Sequence, residues 1–161
     1  MTEEQQFIRY LRFDRGFWAC DEVYLCGGIA DVLAVDRRKQ HIVEYEFKRS
    51  ASDLYKDSSK QKFWMQKRAY APQPHRFYYV LPEKLYYKCK AYLDNQPVGV
   101  VTWIEDSSGV VSFHTKQTCT TRKTNLPDYK SALEKFVNRL SSAYVRLNAQ
   151  KPVKEITNEH K

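Results

Sequence analysis

Apolar residues recur along the first half of the chain with two different spacings. Between residues 3 and 12 they lie three to four positions apart behind two glutamates, which predicts an amphipathic helix. From Phe17 onwards, aromatic and β-branched residues predict strands over residues 17–25, 29–35 and 42–48. The turns between these strands are short, one at Cys26-Gly27-Gly28 and one at the basic residues 37–40. The three strands are therefore expected to form an antiparallel meander.

The second half of the chain predicts further elements around proline and glycine positions. Ser50 is a helix N-cap candidate, and the helix that it begins is expected to run to Tyr70. The elements predicted after it are a strand at 76–81, a helix at 82–92, a hairpin of 98–104 with 110–113, and a helix opening at Pro127. The core stripe expected on that last helix is Ala132, Leu133, Phe136, Val137, Leu140, Tyr144 and Leu147. We expect one domain over residues 1–149 and a disordered tail over 150–161.

Ionisable residues gather on one side of the predicted third strand. Side chains alternate along a strand, so Glu44, Glu46 and Lys48 share one face. Asp31 on the preceding strand is placed to lie opposite them. Such groups are costly to bury unless they are paired, metal-bound or hydrated. Two carboxylates and a lysine beside a sheet suit a hydrolase that holds a divalent cation. The alternative is a cross-strand salt bridge on a solvated sheet face.

Composition indicates which partners and which metal sites to expect. The 27 Lys and Arg residues exceed the 19 Asp and Glu residues, giving a net charge of +8 that suits a polyanionic partner. The four cysteines form no C-x-x-C pair, so buried free thiols are expected rather than structural zinc. No apolar run approaches a membrane span and the N-terminus is not of signal-peptide type, so we expect a cytoplasmic protein without a membrane partner.

The arrangement of Asp31, Glu46 and Lys48 resembles the PD-(D/E)xK nuclease superfamily. In that family an acid on one core strand is followed by (D/E)-x-K on the next. The run Lys48-Arg49-Ser50-Ala51-Ser52-Asp53-Leu54-Tyr55-Lys56-Asp57, with Lys60 beyond it, is similar to the K-x-S-x-x-D-x-x-x-D…K pattern of small bacterial and phage-type members, the MmcB-like DNA repair group. The resemblance covers roughly residues 20 to 82. It departs from the family pattern at Ala30, which stands before Asp31 in place of proline, a departure that many members tolerate.

This resemblance implies an α/β fold with a restriction-endonuclease-like core. Its mixed central sheet would follow the order helix, three strands, helix, strand, with a C-terminal hairpin and helix added. The implied activity is divalent-metal-dependent DNA endonuclease, in repair, recombination or a phage or mobile-element context. Asp31, Glu46 and Lys48 would be catalytic, with Mg²⁺ or Mn²⁺ held by Asp31, Glu46 and the backbone carbonyl of Phe47. Glu22 is a further candidate ligand if the hairpin register brings it opposite Asp31, and an exposed surface position is the alternative.

Further residues are candidates for supporting the active site or for contacting nucleic acid. The candidate supporting residues are Glu44, Ser50, Asp53, Gln66 and Tyr70. Glu44 equally fits a solvated strand position, and helix capping alone explains Ser50 and Asp53. Gln66 and Tyr70 form a Q-x-x-x-Y pair that resembles a motif of RecB-type nucleases. The candidate nucleic-acid contacts are Lys60, Lys62, Lys67 and Arg68, interleaved with aromatics; an ordinary amphipathic helix is the other interpretation.

Two other functions fit the sequence. One is a non-catalytic nucleic-acid-binding module that retains a nuclease fold, and the other is docking of an acidic protein partner by the basic face. A nuclease that cuts both strands with one active site per chain would favour a homodimer. DNA versus RNA, the strandedness of the substrate and the mode of cutting are left open by the sequence.

Overall fold

The structure is a computed structural model that describes residues 1–25, 28–57, 74–121 and 126–149. In chain order its elements are α1 (Glu3–Phe13), β1 (Trp18–Leu25), β2 (Gly28–Asp36), β3 (His41–Phe47), α2 (Ala51–Lys56), β4 (Arg76–Pro82), α3 (Glu83–Asp94), β5 (Gly99–Glu105), β6 (Val111–Gln117) and α4 (Leu126–Ala149). The candidate residues outside the described ranges are Lys60, Lys62, Gln66, Lys67, Arg68 and Tyr70, together with the tail 150–161.

One mixed sheet of six strands in the order β1-β2-β3-β4-β5-β6 organises the molecule. The first three strands pair antiparallel, as the predicted meander requires. β3 and β4 are parallel, and so are β4 and β5, while β5 and β6 form the predicted antiparallel hairpin. Parallel neighbours such as β3 and β4 need a crossover connection rather than a tight turn.

The helix α1 covers one face of the sheet. Thr2 caps it through a capping box with Gln5, and the buried Phe7 is its main anchor. The Phe7 ring contacts the rings of Tyr45, Phe47 and Phe113, with centroids 4.9 to 5.6 Å apart. Because these aromatic contacts join α1 to β3 and β6, Phe7 ties the helix to separate parts of the sheet.

The opposite face is covered by α4 beside the meander and by α2 and α3 further along. Ala132 and Phe136 of α4 are buried against residues of β1, β2 and β3 such as Leu33 and Ile42. Val137 was expected in the same stripe, but 53% of its surface is exposed. The stripe is narrower than predicted because α4 lies mainly against the edge strand β1.

Two further expectations can be compared with the described residues. Cys20, Cys89 and Cys119 are buried free thiols, as predicted; Cys26 lies outside the described ranges. Among the helices described, none combines the length and apolar character that crossing a membrane would require.

Candidate active site

The sheet is interrupted at Asp31. The pairing of β2 with β3 ends at Val32 and Tyr45, and the pairing of β1 with β2 skips the position where Glu22 and Asp31 would meet. Glu22 has a positive φ of 49°, an uncommon conformation for a residue with a side chain. β2 and β3 therefore separate at Asp31, where a backbone group of β3 needs another partner.

The Asp31 side chain provides that partner. Its Oδ2 accepts a hydrogen bond of 2.7 Å from the backbone N–H of Phe47. The register beyond Val32 and Tyr45 also places Asp31 beside Glu46. The expectation that Asp31 lies opposite the acidic end of the third strand is met, and the contact that holds it there is to the backbone.

Lys48 follows directly after β3 and is almost completely buried. Its backbone N–H donates to the Val80 carbonyl at 2.9 Å, which extends the pairing with β4. Its Nζ donates to Glu46 Oε1 at 3.1 Å and to Asp57 Oδ1 at 2.9 Å. The exposed side-chain fractions are 1% for Lys48, 13% for Glu46 and 6% for Asp57. The lysine is thus held between two carboxylates, with Glu46 the more accessible of the pair.

Asp57 is brought to Lys48 by the short helix α2. Ser50 caps the helix by accepting a hydrogen bond of 3.1 Å from the Asp53 N–H, as predicted. Leu54 is completely buried and fixes the helix against the core. Asp57 then stands at the C-cap, nine residues after Lys48. The sequence analysis assigned Asp57 no role, although the spaced pattern after Lys48 contained it.

Tyr79 places an aromatic ring beside Lys48, and the sequence analysis did not predict this contact. It pairs with Glu46 in the parallel register of β3 and β4, and it is fully buried. Its ring centroid is 5.8 Å from Lys48 Nζ. Burial, and then the negative charge of Asp57, raise the pKa of the Tyr79 hydroxyl. Tyr79 therefore stays neutral beside the ion pairs.

Glu44 is completely buried, which excludes a solvated strand position. It lies two residues from Glu46 on the same face and pairs in register with Leu33 and Phe77. Glu44 and Lys48 are therefore buried, while Asp31 and Glu46 are partly buried. The salt bridge that the sequence raised as an alternative is present between Glu46 and Lys48, but its lysine is buried and does not lie on a solvated sheet face.

Glu22 and Asp53 are held by other contacts. Glu22 Oε2 is 2.8 Å from Arg139 of α4, and 69% of the Glu22 side chain is exposed. The Asp53 N–H donates to the Ser50 side chain that caps α2. The Asp53 carboxylate lies in the first turn of α2, where a negative charge is favourable. These contacts account structurally for Glu22, Ser50 and Asp53.

The donors that converge here suit a magnesium-type ion. Asp31 and Glu46 lie beside each other in the register of neighbouring strands, and both keep some accessible surface. Mg²⁺ commonly uses one or two protein carboxylates and completes its shell with water and phosphate oxygens. Among the described residues, no three His, Cys, Asp or Glu side chains are grouped closely enough to bind a metal ion by themselves. The donor set fits a hydrated oxygen-liganded ion better than a closed zinc site.

Similarity to known proteins establishes the fold and leaves the activity open. No family model matches the chain, and no curated protein matches it by sequence. A solved structure of SPO1766, a protein of unknown function from Silicibacter pomeroyi, has a TM-score of 0.68 at 18% identity, covering 96% of this chain and 99% of that one. A repair endonuclease from Pyrococcus abyssi gives a TM-score of 0.37 at 25% identity over 56% of this chain and 43% of its own. The chain shares its mixed α/β architecture with the first of these proteins.

Proposed function

We propose that this protein is a divalent-metal-dependent DNA endonuclease with a restriction-endonuclease-like core. The observation that carries the proposal is the position of Asp31 beside the Glu46–Lys48 ion pair in the strand register, where β2 and β3 separate. Asp31 is bonded to the backbone next to Glu46, and Glu46 is bonded to Lys48. These are the three residue types that the sequence motif requires.

Asp31, Glu46 and the Phe47 carbonyl would hold Mg²⁺ or Mn²⁺. When bound, the ion would lower the pKa of a coordinated water and offset charge on the scissile phosphate. The Asp31 carboxylate is fixed through Oδ2 by the Phe47 N–H. Glu46 is fixed through Oε1 by Lys48. Both carboxylates are therefore oriented in advance, which lowers the cost of assembling the site.

Lys48 would act by position and charge. An ammonium group has three donors, and the two carboxylates engage two of them. The third is suited to a phosphate oxygen or to the attacking water. Asp57 and Tyr79 hold the lysine in place, since one bonds it directly and the other lies under it. The net charge of +8 would favour approach of a polyanionic strand.

A non-catalytic nucleic-acid-binding module is the second candidate, and one observation favours it. Lys48 is bonded to two carboxylates and is 1% exposed, as expected of a structural ion pair. In that case the buried cluster would hold β3, α2 and β4 together, and binding would depend on basic residues elsewhere.

The test is cleavage of supercoiled plasmid, single-stranded DNA and branched DNA with Mg²⁺, Mn²⁺ or EDTA. Asp31→Asn is the main variant, because asparagine retains an oxygen that can accept from Phe47. Asp94→Asn, at an exposed carboxylate of α3, is the matched control. We expect metal-dependent cutting that Asp31→Asn lowers by about 100-fold or more and that Asp94→Asn leaves unchanged.

Metal binding gives a second readout that does not depend on turnover. Mn²⁺ at 100 times its Kd should stabilise the wild type by about 2.7 kcal/mol and should not stabilise Asp31→Asn equally. Cutting that survives in Asp31→Asn would contradict the assigned site. Salt-sensitive DNA binding without cutting would favour the non-catalytic module.

A further inference from the structure

A small pocket lies on the opposite face of the sheet from Lys48. Its volume is about 50 Å³, several times the roughly 10–15 Å³ that one water needs. The lining residues that carry polar side chains are Tyr10, Arg15, Tyr45, Arg76, Tyr78 and Thr115. Tyr45 alternates with Glu46 along β3, so the pocket and the candidate active site are separated by the sheet. This size suits a compact oxyanion and excludes a nucleobase.

The charged side chains among the residues that line the pocket are both positive. Arg15 follows the end of α1, and Arg76 begins β4. Among the described residues that line the pocket, none is Asp or Glu. Arg76 Nε donates to Thr121 Oγ1 at 2.9 Å, and the Arg15 guanidinium lies 6.0 Å from the Phe17 ring centroid. Two cations beside a partly apolar pocket, without a lining carboxylate, would attract an anion.

Phenol groups complete the lining. Tyr45 and Tyr78 are buried and their rings stack with centroids 5.4 Å apart. Burial raises the pKa of Tyr45, while the positive charges of Arg15 and Arg76 oppose that rise. The guanidinium groups of Arg15 and Arg76 are therefore close enough to interact electrostatically with the Tyr45 hydroxyl, which stays neutral and can donate a hydrogen bond. The Tyr78 hydroxyl accepts from the Cys119 N–H at 3.4 Å, which fixes its position.

We propose that this pocket is a binding site for a phosphate group, with Arg15 and Arg76 as charged donors and the Tyr45 hydroxyl as a neutral donor. Guanidinium groups match the geometry of phosphate oxygens, and hydrogen bonds to charged groups are stronger in a partly desolvated setting. The phosphate has two chemical sources, a small phosphate ion or the terminal phosphate of a nucleic-acid strand. The site is independent of the proposed endonuclease activity.

The first experiment is isothermal titration calorimetry of the 161-residue chain with sodium phosphate in EDTA. We expect Arg15→Gln and Arg76→Gln each to weaken binding by about 10- to 150-fold, since each removes a charge-assisted hydrogen bond. Arg38→Gln is the matched control, because Arg38 is an exposed arginine in the turn between β2 and β3. Tyr45→Phe is a second probe that removes one hydroxyl and keeps the ring, and it should weaken binding less.

The second experiment separates the two sources. Fluorescence anisotropy in EDTA compares one single-stranded oligonucleotide carrying a 5′-phosphate with the same strand carrying a 5′-hydroxyl. Tighter binding of the phosphorylated strand, lost in Arg15→Gln, assigns the pocket to strand ends. Equal binding of both strands, with phosphate ion still bound, assigns it to a small phosphate.

Two results would overturn the site. One is no phosphate binding by the wild type together with equal binding of both strands. The other is phosphate binding that Arg15→Gln, Arg76→Gln and Tyr45→Phe all leave unchanged. Asp31→Asn should bind phosphate like the wild type, so the outcome is distinct from any failure of the proposed nuclease.

Discussion

Replacement of Asp57 by alanine is expected to destabilise the protein strongly, because it removes one of the two carboxylates that hold a buried lysine. The distances from Lys48 Nζ are 2.9 Å to Asp57 and 3.1 Å to Glu46. At an effective dielectric constant of about 20, each contact corresponds to roughly 5–6 kcal/mol of attraction. This attraction offsets the several kcal/mol that desolvating each ion costs. Asp57→Ala should therefore lower the free energy of unfolding by about 3–5 kcal/mol.

Urea denaturation measures this loss of free energy, and thermal unfolding measures the corresponding fall in Tm, both followed by circular dichroism. For a chain of 161 residues, each kcal/mol corresponds to about 2–4 °C in Tm, so a fall of about 6–20 °C is expected. The matched control is Asp94→Ala. Asp94 pairs with Lys90 at 2.7 Å, closer than either contact of Lys48, but both side chains are about half exposed. Solvent screens such a pair, so its loss should shift the Tm far less.

The comparison tests burial against distance as the source of the stabilisation. If Asp57→Ala and Asp94→Ala lower the Tm equally, the attraction calculated for Lys48 is cancelled by the cost of desolvation and makes no net contribution to stability. Asp57→Asn retains one acceptor oxygen and should fall between the wild type and Asp57→Ala. A loss from Asp57→Asn as large as that from Asp57→Ala would indicate that the charge, rather than the hydrogen bond, supplies the whole effect.

Three further predictions follow from other parts of the fold. Burial, and then the nearby His41, lower the pKa of His75 in the folded protein. This contribution to stability is fully present above the ordinary histidine pKa of about 6.5 and is lost as the pH falls from there through the lower folded-state pKa. Urea midpoints at pH 7.5 and 5.5 should therefore differ less in His75→Asn, which keeps an acceptor for the Ile42 N–H. Burial raises the pKa of Cys20 to about 12, so iodoacetamide at pH 8 should leave Cys20 unmodified in the folded protein and modify it in urea, as peptide mapping would show. A Cβ at Gly99 would overlap the Tyr78 ring, so Gly99→Ala should cost about 1–3 kcal/mol or more in urea denaturation, and a neutral result would show that the ring can move.

The predicted elements in the described ranges were found because their patterns are local. The meander follows from alternating apolar residues and short turns, and the helix cap at Ser50 follows from side-chain chemistry alone. The facing positions of Asp31 and Glu46 were predictable for the same reason, since strand parity and a short turn determine them. The hydrogen bond from Phe47 to Asp31 was not, because it depends on where the β2–β3 pairing ends.

Apart from Asp57, which lies only nine residues from Lys48, the missed features depend on contacts between distant elements. Tyr79 reaches Lys48 only because β4 pairs in parallel with β3, and an apolar strand gives no sign of that neighbour. Glu22 is directed towards Arg139, more than a hundred residues later in the chain. Val137 fits a helical stripe, yet its exposure depends on how much of α4 the sheet edge can cover. Sequence spacing carries none of this information.

The placement of Lys48 has a consequence for the order of folding. Its contacts with Glu46 and Asp57 span two and nine residues, so they can form as soon as β3 and α2 exist. Its backbone bond to Val80 spans a much longer loop, whose closure is slow. A chain that has formed the meander but not yet added β4 would hold the two acids together around a hydrated lysine. Docking of β4 is therefore the step that removes water from Lys48 and completes its buried cluster with Glu46 and Asp57. In pulse-labelling hydrogen exchange, the Lys48 amide should gain protection later than the amides of β2.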